Sequence, residues 1–465
     1  MPDAKRYSAY PHRRVAGSLP PDGHAGWVGA LANRFAMRDA EVAVVGLGYA
    51  GLPMALALAE AGFTTLGLDQ DDGKVARLAA GETGMRHVGP QALSAALQSR
   101  RFTVSSAWAT LAQADAVLIC VPTPLDQDRK PDLSAVEAAA RSLAWQLRPG
   151  QLVILESTTW PGTTRDVVRP ILESTGLRCG RDFFLAYSPE REDPGNTAFR
   201  TAGIPRVVGG ADANALHLAE TLYGAVVDRV VPVRSLEAAE AVKLTENAFR
   251  AVNIALANEL KLAFGAMGLD VWEVLEAAAS KPFGYMPFWP GPGVGGHCIP
   301  VDPLYLAWKA RAAGVPARFI EMAGEINADM PFHVVTALEA ALRARSAKGI
   351  AGSRILVLGA AYKPGIEDVR ESPALRLIEL IEAQGGEAPY HDPLVPELPC
   401  VPEHPGLAGR RSLPWADALG CDAALIVTDH DVIDYAGLCA AMPLVVDTRD
   451  ACARRGLRGP GIVKA

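Results

Sequence analysis

The chain has 465 residues, 49% of them hydrophobic, which is enough for two or three domains with sizeable cores. Its formal net charge of −7 is mild and it has no basic run, so nothing indicates a nucleic-acid partner. Its 7 cysteines form no CxxC pair and no His/Cys cluster with metal spacing, so neither a disulfide framework nor a metal site is predicted. Its apolar runs are too short to span a bilayer, so we expect a cytoplasmic protein without a membrane partner.

Residues 1–39 are predicted to form an N-terminal extension. Residues 1–24 are basic and rich in Pro and lack the apolar core of a signal peptide, which indicates a flexible arm. Residues 25–37 favour a short helix. No function follows from this segment.

The first chemical motif follows a short apolar strand at residues 41–45. The run Gly46-Leu47-Gly48-Tyr49-Ala50-Gly51 comes next, then a helical stretch at residues 52–61 and a strand at residues 64–68 that ends at Asp69. A GxGxxG run alone is a weak signal, but a preceding strand, a following helix and an acidic residue about 20 positions later are typical of a dinucleotide site. Asp69 would accept hydrogen bonds from ribose hydroxyls and repel a 2′-phosphate, so NAD is favoured over NADP. The alternative is a glycine-rich turn that binds nothing.

Strand and helix patterns alternate as far as residue 233, which is typical of a parallel doubly wound sheet. The apolar runs that favour buried strands are residues 116–121, 152–155, 183–186, 206–208 and 229–233. Residues 40–235 are therefore predicted to form an NAD-binding Rossmann domain. Cys120 falls inside one of these runs and is predicted to be a core residue.

A long helical stretch at residues 236–264 contains no Pro and no Gly. Further helical segments follow, so residues 236–347 are predicted to form a central helical domain with a long connecting helix. Lys243 and Asn247 lie four positions apart and share one face of that helix, with Arg250 on roughly the same face. That face could direct polar groups at a reacting carbon, although a solvated lysine on an amphipathic helix is the commoner reason for such a pattern.

Cys298 lies in a run too rich in Gly and Pro for a core strand, Gly293-Val294-Gly295-Gly296-His297-Cys298-Ile299-Pro300-Val301-Asp302-Pro303. A helix is predicted at residues 304–313, with Asp302 near its start as a capping residue. A thiol near a helix N-terminus has a lowered pKa, and the glycines allow the backbone to approach a ligand closely. The segment therefore predicts a nucleophilic cysteine. The alternative is a tight turn in which the cysteine is incidental.

A second α/β unit is predicted over residues 348–465. Its strands are predicted at residues 355–358, 423–428 and 444–447. Its helix at residues 373–383 starts with Ser372 as N-cap and Pro373 at the first position. The unit lacks a full GxGxxG run, so it is predicted to bind a different ligand, such as a nucleotide. The predicted fold class is thus α/β, with two Rossmann-like doubly wound domains joined by the central helical domain.

A dinucleotide site and a nucleophilic cysteine in one chain suggest a four-electron oxidation. Hydride transfer converts an alcohol to an aldehyde, which a thiol can hold as a thiohemiacetal while a second hydride leaves, and water then releases an acid from the thioester. An ordinary alcohol dehydrogenase has no use for the cysteine. We therefore expect a dehydrogenase that uses two NAD per turnover.

In this order the motifs resemble the UDP-sugar 6-dehydrogenase family over about residues 41–450. The matching segments are Gly46-Leu47-Gly48-Tyr49-Ala50-Gly51-Leu52-Pro53, Val121-Pro122-Thr123-Pro124, Glu156-Ser157-Thr158-Thr159, Tyr187-Ser188-Pro189-Glu190-Arg191, Lys243 with Asn247, Gly295-Gly296-His297-Cys298 with Asp302, Tyr362-Lys363-Pro364 and Asp368-Val369-Arg370-Glu371-Ser372. The resemblance implies NAD as the cofactor and a UDP-sugar as the substrate.

The resemblance also implies roles for individual residues. Cys298 would hold the aldehyde, Lys243 and Asn247 would stabilise the oxyanion, and Glu190, assisted by Asp302, would help water attack the thioester. The implied catalytic residues are Cys298, Lys243, Asn247, Glu190, Asp302 and Thr158. The implied cofactor contacts are Gly46, Gly48, Tyr49, Ala50, Gly51, Asp69, Pro122, Thr123, Ser157 and Thr158. The implied substrate contacts are Glu190, Arg191, Lys243, Asn247, Arg250, Gly291, Gly293, Gly295, Gly296, Lys363 and Arg370, the last two facing the pyrophosphate. His297 is expected to have no role in proton transfer.

Within the family, the segment that follows Cys298 and the motifs at residues 158–164 and 188–196 resemble the branch that acts on UDP-N-acetylhexosamines, with UDP-N-acetylglucosamine favoured. UDP-N-acetylmannosamine, UDP-N-acetylgalactosamine and UDP-glucose remain alternatives. A two-electron dehydrogenase of the 3-hydroxyacid type would make one NADH per substrate instead of two. A sensor that binds NAD and UDP-sugar without turnover would need a broken site, and no site residue is missing. The resemblance implies surface-polysaccharide synthesis, and the long helix favours a homodimer or a higher homo-oligomer.

Overall fold

The computed structural model describes residues 24–85, 88–126, 129–192, 201–296, 298–346 and 348–465. The predictions made for residues 1–23, for the motif at 193–196 and for His297 lie outside the described residues. The predicted helix at 25–37 is present as α1 (His24–Met37).

An eight-stranded sheet forms the first part of the chain. Its strands are β1 (Glu41–Val45), β2 (Thr64–Leu68), β3 (Phe102–Ser105), β4 (Ala116–Ile119), β5 (Leu152–Leu155), β6 (Phe184–Tyr187), β7 (Arg206–Gly210) and β8 (Val230–Val233). They lie in the order β3-β2-β1-β4-β5-β6-β7-β8, so the order reverses between β1 and β4 as in a dinucleotide-binding fold. All neighbours are parallel except β6 and β7, which are antiparallel, so the predicted parallel pattern does not hold between these two strands.

Helices cover both faces of this sheet because its strands are apolar on both sides. The helices are α1, α2 (Gly51–Ala61), α3 (Asp72–Ala79), α4 (Pro90–Gln98), α5 (Ser134–Ala144), α6 (Arg169–Glu173) and α7 (Ala213–Gly224). Val42 and Val44 of β1 belong to a core shared with α2, α4 and α7, whereas Ala43 and Val45 belong to the opposite core with α5 and α6. This alternation defines a doubly wound sheet. Cys120 is buried in the first core, as predicted.

The central part of the chain is helical. It contains α8 (Leu236–Ala266), α9 (Val271–Ala279), α10 (Asp302–Ala312) and α11 (Arg318–Ser346). The side chain of Ser235 accepts a hydrogen bond from the Ala238 amide and so caps α8, which at 31 residues is about 46 Å long. It runs past the predicted end at residue 264 because one glycine, Gly265, costs a helix only about 1 kcal/mol. Helices α10 and α11 pack along α8.

A second sheet of five parallel strands closes the chain. Its elements are β9 (Ile355–Leu358), α12 (Pro373–Ala383), β10 (Tyr390–His391), α13 (Trp415–Ala418), β11 (Ala423–Ile426), α14 (Tyr435–Ala441), β12 (Val445–Asp447) and β13 (Ile462–Lys464). The order β10-β9-β11-β12-β13 is the other common doubly wound arrangement. Ser372 caps α12 as predicted, with Pro373 at its first position. The far end of α11 packs on this sheet through Val334 and Leu338.

These observations confirm the predicted fold class, while the domain boundaries at residues 39, 235 and 347 stay predictions. No helix within the described ranges is long and apolar enough to cross a membrane. In the same part of the chain, no group of three or more His, Cys, Asp or Glu side chains could hold a metal ion.

Candidate active site

A cleft of about 590 Å³ opens at the carboxyl ends of β1, β2 and β4, where the strand order of the large sheet reverses. All of the predicted cofactor contacts except Gly51 line it, namely Gly46, Gly48, Tyr49, Ala50, Asp69, Pro122, Thr123, Ser157 and Thr158. Residues from four loops, far apart in sequence, therefore converge on one concave surface. The hydroxyl of Ser157 donates to the carbonyl of Val121 at 2.8 Å, which ties two of these loops together.

The glycine-rich turn fits a dinucleotide for two reasons. A side chain at Gly51 would collide with the carbonyl oxygen of Gly46, so this glycine lets α2 start tightly against β1 instead of touching the ligand. At the N-terminus of α2 the N-cap residue Ala50 makes no side-chain cap, so its side chain does not compete with a pyrophosphate for the first amide groups. The residues present thus suit NAD.

Asp69 lies at the ribose end of the cleft, as predicted. Its carboxylate accepts hydrogen bonds from the amides of Leu47 at 3.0 Å and Asp71 at 3.1 Å and from Lys74 Nζ at 2.9 Å. Burial raises its pKa, but these hydrogen bonds outweigh that effect and hold the pKa of Asp69 below its usual value. Lys74 also lines the cleft. The sequence pattern did not predict it as a site residue, because a lysine in the first turn of an amphipathic helix resembles any solvated lysine.

A row of buried polar groups runs from the cleft along one face of α8. Lys243 Nζ lies 2.9 Å from Glu190 Oε2, and Asn247 Nδ2 donates to Asp302 Oδ2. Arg250 Nη2 donates to Asn247 Oδ1. The side chains of this row are each at most 4% exposed, so their polar and charged groups need partners within the protein; they are Glu190, Lys243, Asn247 and Asp302. Glu190 follows β6 and Lys243 lies on α8; both also line the cleft.

The pairing sets the charge states of this row. Burial lowers the pKa of Lys243, but the nearby acidic groups, of which Glu190 contributes most, together outweigh burial and raise the pKa well above the usual lysine value. Burial raises the pKa of Asp302 to about 6, although Lys243 and the hydrogen bond from Asn247 lower it. The prediction that Asp302 caps α10 is wrong: Val301 is the N-cap residue, and the Asp302 carboxylate turns to Asn247. The site thus holds one firmly charged ammonium beside a carboxylate that titrates near neutrality.

Cys298 lies at the end of this row, in the loop before α10. Its carbonyl accepts hydrogen bonds from the amides of Asp302 at 2.8 Å and Val301 at 3.3 Å. Burial raises the pKa of the Cys298 thiol, and Lys243 only partly offsets this rise. The predicted lowering of the pKa is therefore wrong for this state. The positive field at the start of α10 is opposed by the carboxylate of Asp302 in its first turn.

The glycines of the cysteine loop, which were predicted to let the backbone approach a ligand, also allow close packing within the protein. A Cβ atom at Gly295 would lie 2.7 Å from Tyr362 Cβ and 2.8 Å from the carbonyl oxygen of Glu371. The amide of Gly296 donates to the carbonyl of Arg370 at 3.0 Å. The glycines therefore allow the loop to pack on the segment between β9 and α12, rather than only to approach a ligand.

Three predicted substrate contacts differ in their surroundings. Arg370 lines the cleft and lies over the ring of Tyr49, 5.1 Å from its centroid, so it is close to a predicted cofactor contact. Arg191 Nη2 lies 2.6 Å from Glu246 Oε1, and its role as a substrate contact stays a prediction. Lys363 is partly exposed in the loop between β9 and α12.

Beneath the cleft lies a second buried ion pair that the sequence reasoning missed. Arg206 of β7 pairs with Glu156 and donates through Nε to Ser188 Oγ at 3.0 Å, and the Tyr223 hydroxyl also donates to Glu156. Glu156 precedes the Ser157-Thr158 loop, and Ser188 lies two positions before Glu190. The pair therefore joins a cofactor loop to the loop that carries Glu190. No local spacing could reveal it, because its members come from separate strands.

Comparisons with known proteins agree with this geometry. The chain matches the UDP-glucose/GDP-mannose dehydrogenase family in its NAD binding domain at residues 40–227, its central domain at residues 237–329 and its UDP binding domain at residues 356–454. It is 36% identical to a UDP-N-acetyl-D-glucosamine 6-dehydrogenase of Pseudomonas aeruginosa over 77% of this chain and 84% of that protein. It is 37% identical to a UDP-N-acetyl-D-mannosamine dehydrogenase of Pyrococcus horikoshii over 84% of this chain and 89% of that protein.

Solved structures are similar over nearly the whole length. A structure titled as a UDP-D-ManNAc dehydrogenase from Pyrococcus horikoshii superposes with a TM-score of 0.81 at 34% identity, covering 91% of this chain and 98% of that one. A UDP-glucose dehydrogenase from Pyrobaculum islandicum superposes with a TM-score of 0.80 at 29% identity, covering 96% and 99%. The resemblance inferred from the motifs is thereby confirmed. The chain belongs to the UDP-glucose/GDP-mannose dehydrogenase family of NAD-dependent UDP-sugar dehydrogenases.

Proposed function

We propose that the chain oxidises C6 of a UDP-N-acetylhexosamine to the carboxylate, with two NAD per turnover. The observation that carries the proposal is the buried row Glu190, Lys243, Asn247 and Asp302, which links the dinucleotide cleft to Cys298. A two-electron dehydrogenase needs no thiol at the end of such a row.

NAD, held by the cleft, would supply the hydride acceptor for each of the two oxidations. During the first, the ammonium of Lys243 and the amide of Asn247 are the groups that stabilise negative charge developing on the C6 oxygen. Both are held rigidly, because Lys243 is paired with Glu190 and Asn247 donates to Asp302. The site is thus preorganised for an oxyanion before the sugar binds.

Cys298 then adds to the aldehyde, and its S–H proton passes to a neighbouring base. Lys243 lies close enough to stabilise the thiolate electrostatically. The thiohemiacetal loses the second hydride together with its hydroxyl proton and becomes a thioester, and water attacks the thioester carbon to release the carboxylate and restore the thiol. Glu190 is the proposed acceptor of the proton of that water. Asp302, with a pKa of about 6, assists near neutral pH.

UDP-N-acetylglucosamine is the proposed sugar nucleotide. It is supported by the motifs around Cys298 and by the name of the Pseudomonas aeruginosa relative. UDP-N-acetylmannosamine is the strongest alternative, because relatives with that printed substrate are 37% identical. UDP-N-acetylgalactosamine and UDP-glucose follow. A role in surface-polysaccharide precursor synthesis accords with a UDP-hexosaminuronic acid as the product.

We also propose a homodimer or a higher homo-oligomer. Large apolar side chains remain exposed on the outer faces of α8 and α11, among them Phe249, Leu256, Phe319 and Met322. Such a set along two packed helices supports an interface between copies of the chain. Light scattering of the purified protein tests it, and a monomer at micromolar concentration would contradict it.

The test of function is an NADH assay with the four UDP-sugars. We expect two NADH per sugar and the highest kcat/KM for UDP-N-acetylglucosamine. One NADH per sugar would support the two-electron alternative and overturn the thioester route. Two NADH with UDP-N-acetylmannosamine as the preferred substrate would keep the chemistry and change only the sugar.

A further inference from the structure

Two buried cations, Lys261 and Arg449, lie close together at the far end of α8. Lys261 has a partly exposed stem, but its Nζ is buried and makes no hydrogen bond. The guanidinium of Arg449 is its electrostatic neighbour, and Arg449 Nε donates to the carbonyl of Val427 at 2.8 Å. Asp447 acts on both cations through its charge, but among the described residues neither cation forms an ion pair with a carboxylate, and burying unpaired charge costs free energy.

The nearby carboxylates are already occupied. The carboxylate of Asp447 accepts hydrogen bonds from the amide of Arg449 at 2.9 Å and the amide of Cys452 at 2.8 Å. Asp429, the other acid that acts on Arg449, is paired with Arg454. Both carboxylates therefore act on the cations through their charge, but their hydrogen bonds are made to other groups.

Three segments bring the cations together. Arg449 follows β12 at the carboxyl edge of the five-stranded sheet, where ligands of doubly wound folds bind. Gly291 lies against its guanidinium, and a side chain at Gly291 would collide with Arg449 Nη1. The amide of Gly291 donates to Asn258 Oδ1 at 2.9 Å, and Asn258 lies one helical turn before Lys261 on α8.

We propose that Lys261, together with Arg449, binds the UDP portion of the substrate and supplies a positive charge that its anionic nucleotide neutralises. The proposal rests on the proposed function, since it takes a UDP-sugar as the ligand. Arg449 lies within the residues matched by the UDP binding domain, whereas Lys261 lies outside them, on the helix that also carries Asn247. Lys261 and Asn247 are about 21 Å apart at 1.5 Å per residue, which suits an extended nucleotide sugar with its reacting carbon at one end.

The electrostatics predict that binding takes up a proton. Burial, followed by repulsion from Arg449, lowers the pKa of Lys261 to about 7, while Asp447 opposes this shift. A bound diphosphate would raise that pKa again. The contribution of Lys261 to affinity is then fully present below pH 7 and falls as the pH rises from 7 toward the pKa of the complex.

Calorimetric titration of the full chain with UDP, without NAD, tests the proposal. The titration is run at pH 8, where UDP is fully ionised because the second pKa of a phosphate monoester is about 6. Two buffers of different ionisation enthalpy give the number of protons taken up. We expect the natural chain to take up close to one proton on binding UDP and Lys261→Met to take up none. The UDP Kd of Lys261→Met should be about 10- to 100-fold weaker, because the variant loses one charge-assisted hydrogen bond. Lys261→Arg should keep most of the affinity.

Controls separate binding from folding and from catalysis. Lys348→Met removes an exposed lysine paired with Asp422 and should leave the UDP Kd unchanged. In turnover, Lys261→Met should raise KM for the UDP-sugar and leave KM for NAD unchanged; Lys261→Gln serves if the methionine variant does not fold. An unchanged UDP Kd and unchanged proton uptake in Lys261→Met would overturn the proposal even if sugar oxidation is observed. UDP affinity that depends on Lys261 without any sugar oxidation would instead reject the proposed function alone.

Discussion

The two ends of α8 bury charge in opposite ways. Near its start, Lys243 is paired with Glu190 at 2.9 Å, and Asn247 binds Asp302. Near its end, Lys261 lies beside Arg449 and makes no hydrogen bond or ion pair with a carboxylate among the described residues. A buried pair resists separation, whereas an unpaired buried cation costs free energy until a ligand compensates it. The contrast supports the proposal that the substrate completes the charge balance near Lys261, whereas the charges near Lys243 are balanced before the substrate binds.

The largest effect is expected from removing the thiol at the paired end. Cys298→Ser should lower acid formation at least about 10³-fold, because an alcohol side chain cannot carry the aldehyde through the second oxidation. Binding of UDP should be unchanged, and traces of aldehyde should be trapped by a hydrazine reagent. Cys400→Ser, at an exposed cysteine, is the matched control. Full acid production by Cys298→Ser would remove the covalent step.

The next largest effect is expected in stability, where Lys243 and Lys261 can be compared directly. Lys243→Met leaves Glu190 buried and unpaired, so we expect a loss of about 3–5 kcal/mol in the free energy of unfolding and a fall in kcat of about 10²- to 10³-fold. Lys261→Met removes an uncompensated charge, so its thermal midpoint should equal or exceed that of the natural chain. Thermal scans of both variants without ligand measure this difference. Equal losses of stability would erase the contrast between the two ends.

The smallest effect concerns pH at the paired end. Because burial raises the pKa of Asp302 to about 6, its carboxylate is protonated below that pH and kcat should decline there, with up to a tenfold loss per pH unit. Asp302→Asn should lower kcat about 10- to 100-fold and remove this acid limb from the profile. A profile that keeps the limb in Asp302→Asn would assign it to another group.

Contiguous patterns made one half of the site predictable. A strand, three glycines, a helix and an acid follow one another between Glu41 and Asp69, and each local requirement of a dinucleotide site is visible there. The same holds for the cap of α12, where Ser372 and Pro373 stand side by side. Such features depend on neighbours in the chain, so spacing alone reveals them.

The remaining features depend on desolvation and on distant partners. The pKa of Cys298 is raised instead of lowered because burial and the charge of Asp302 oppose the helix field. No sequence pattern distinguishes Lys261, because what sets it apart is a buried Nζ atom without a hydrogen-bond partner, which only the folded structure shows. The antiparallel pairing of β7 likewise depends on where a long connection delivers the chain. Tertiary context decides each of these.

The close packing of Gly295 on Tyr362 has an evolutionary consequence. The backbone beside Cys298 packs against Tyr362, which lies in the stretch matched by the UDP binding domain, so a Cβ at position 295 could be accommodated only if that stretch moved. Recombining the front of this chain with the rear of a relative would therefore disturb the cysteine even if every reacting group were retained. Chimeras should exchange the cysteine loop and the segment between β9 and α12 as one inherited block.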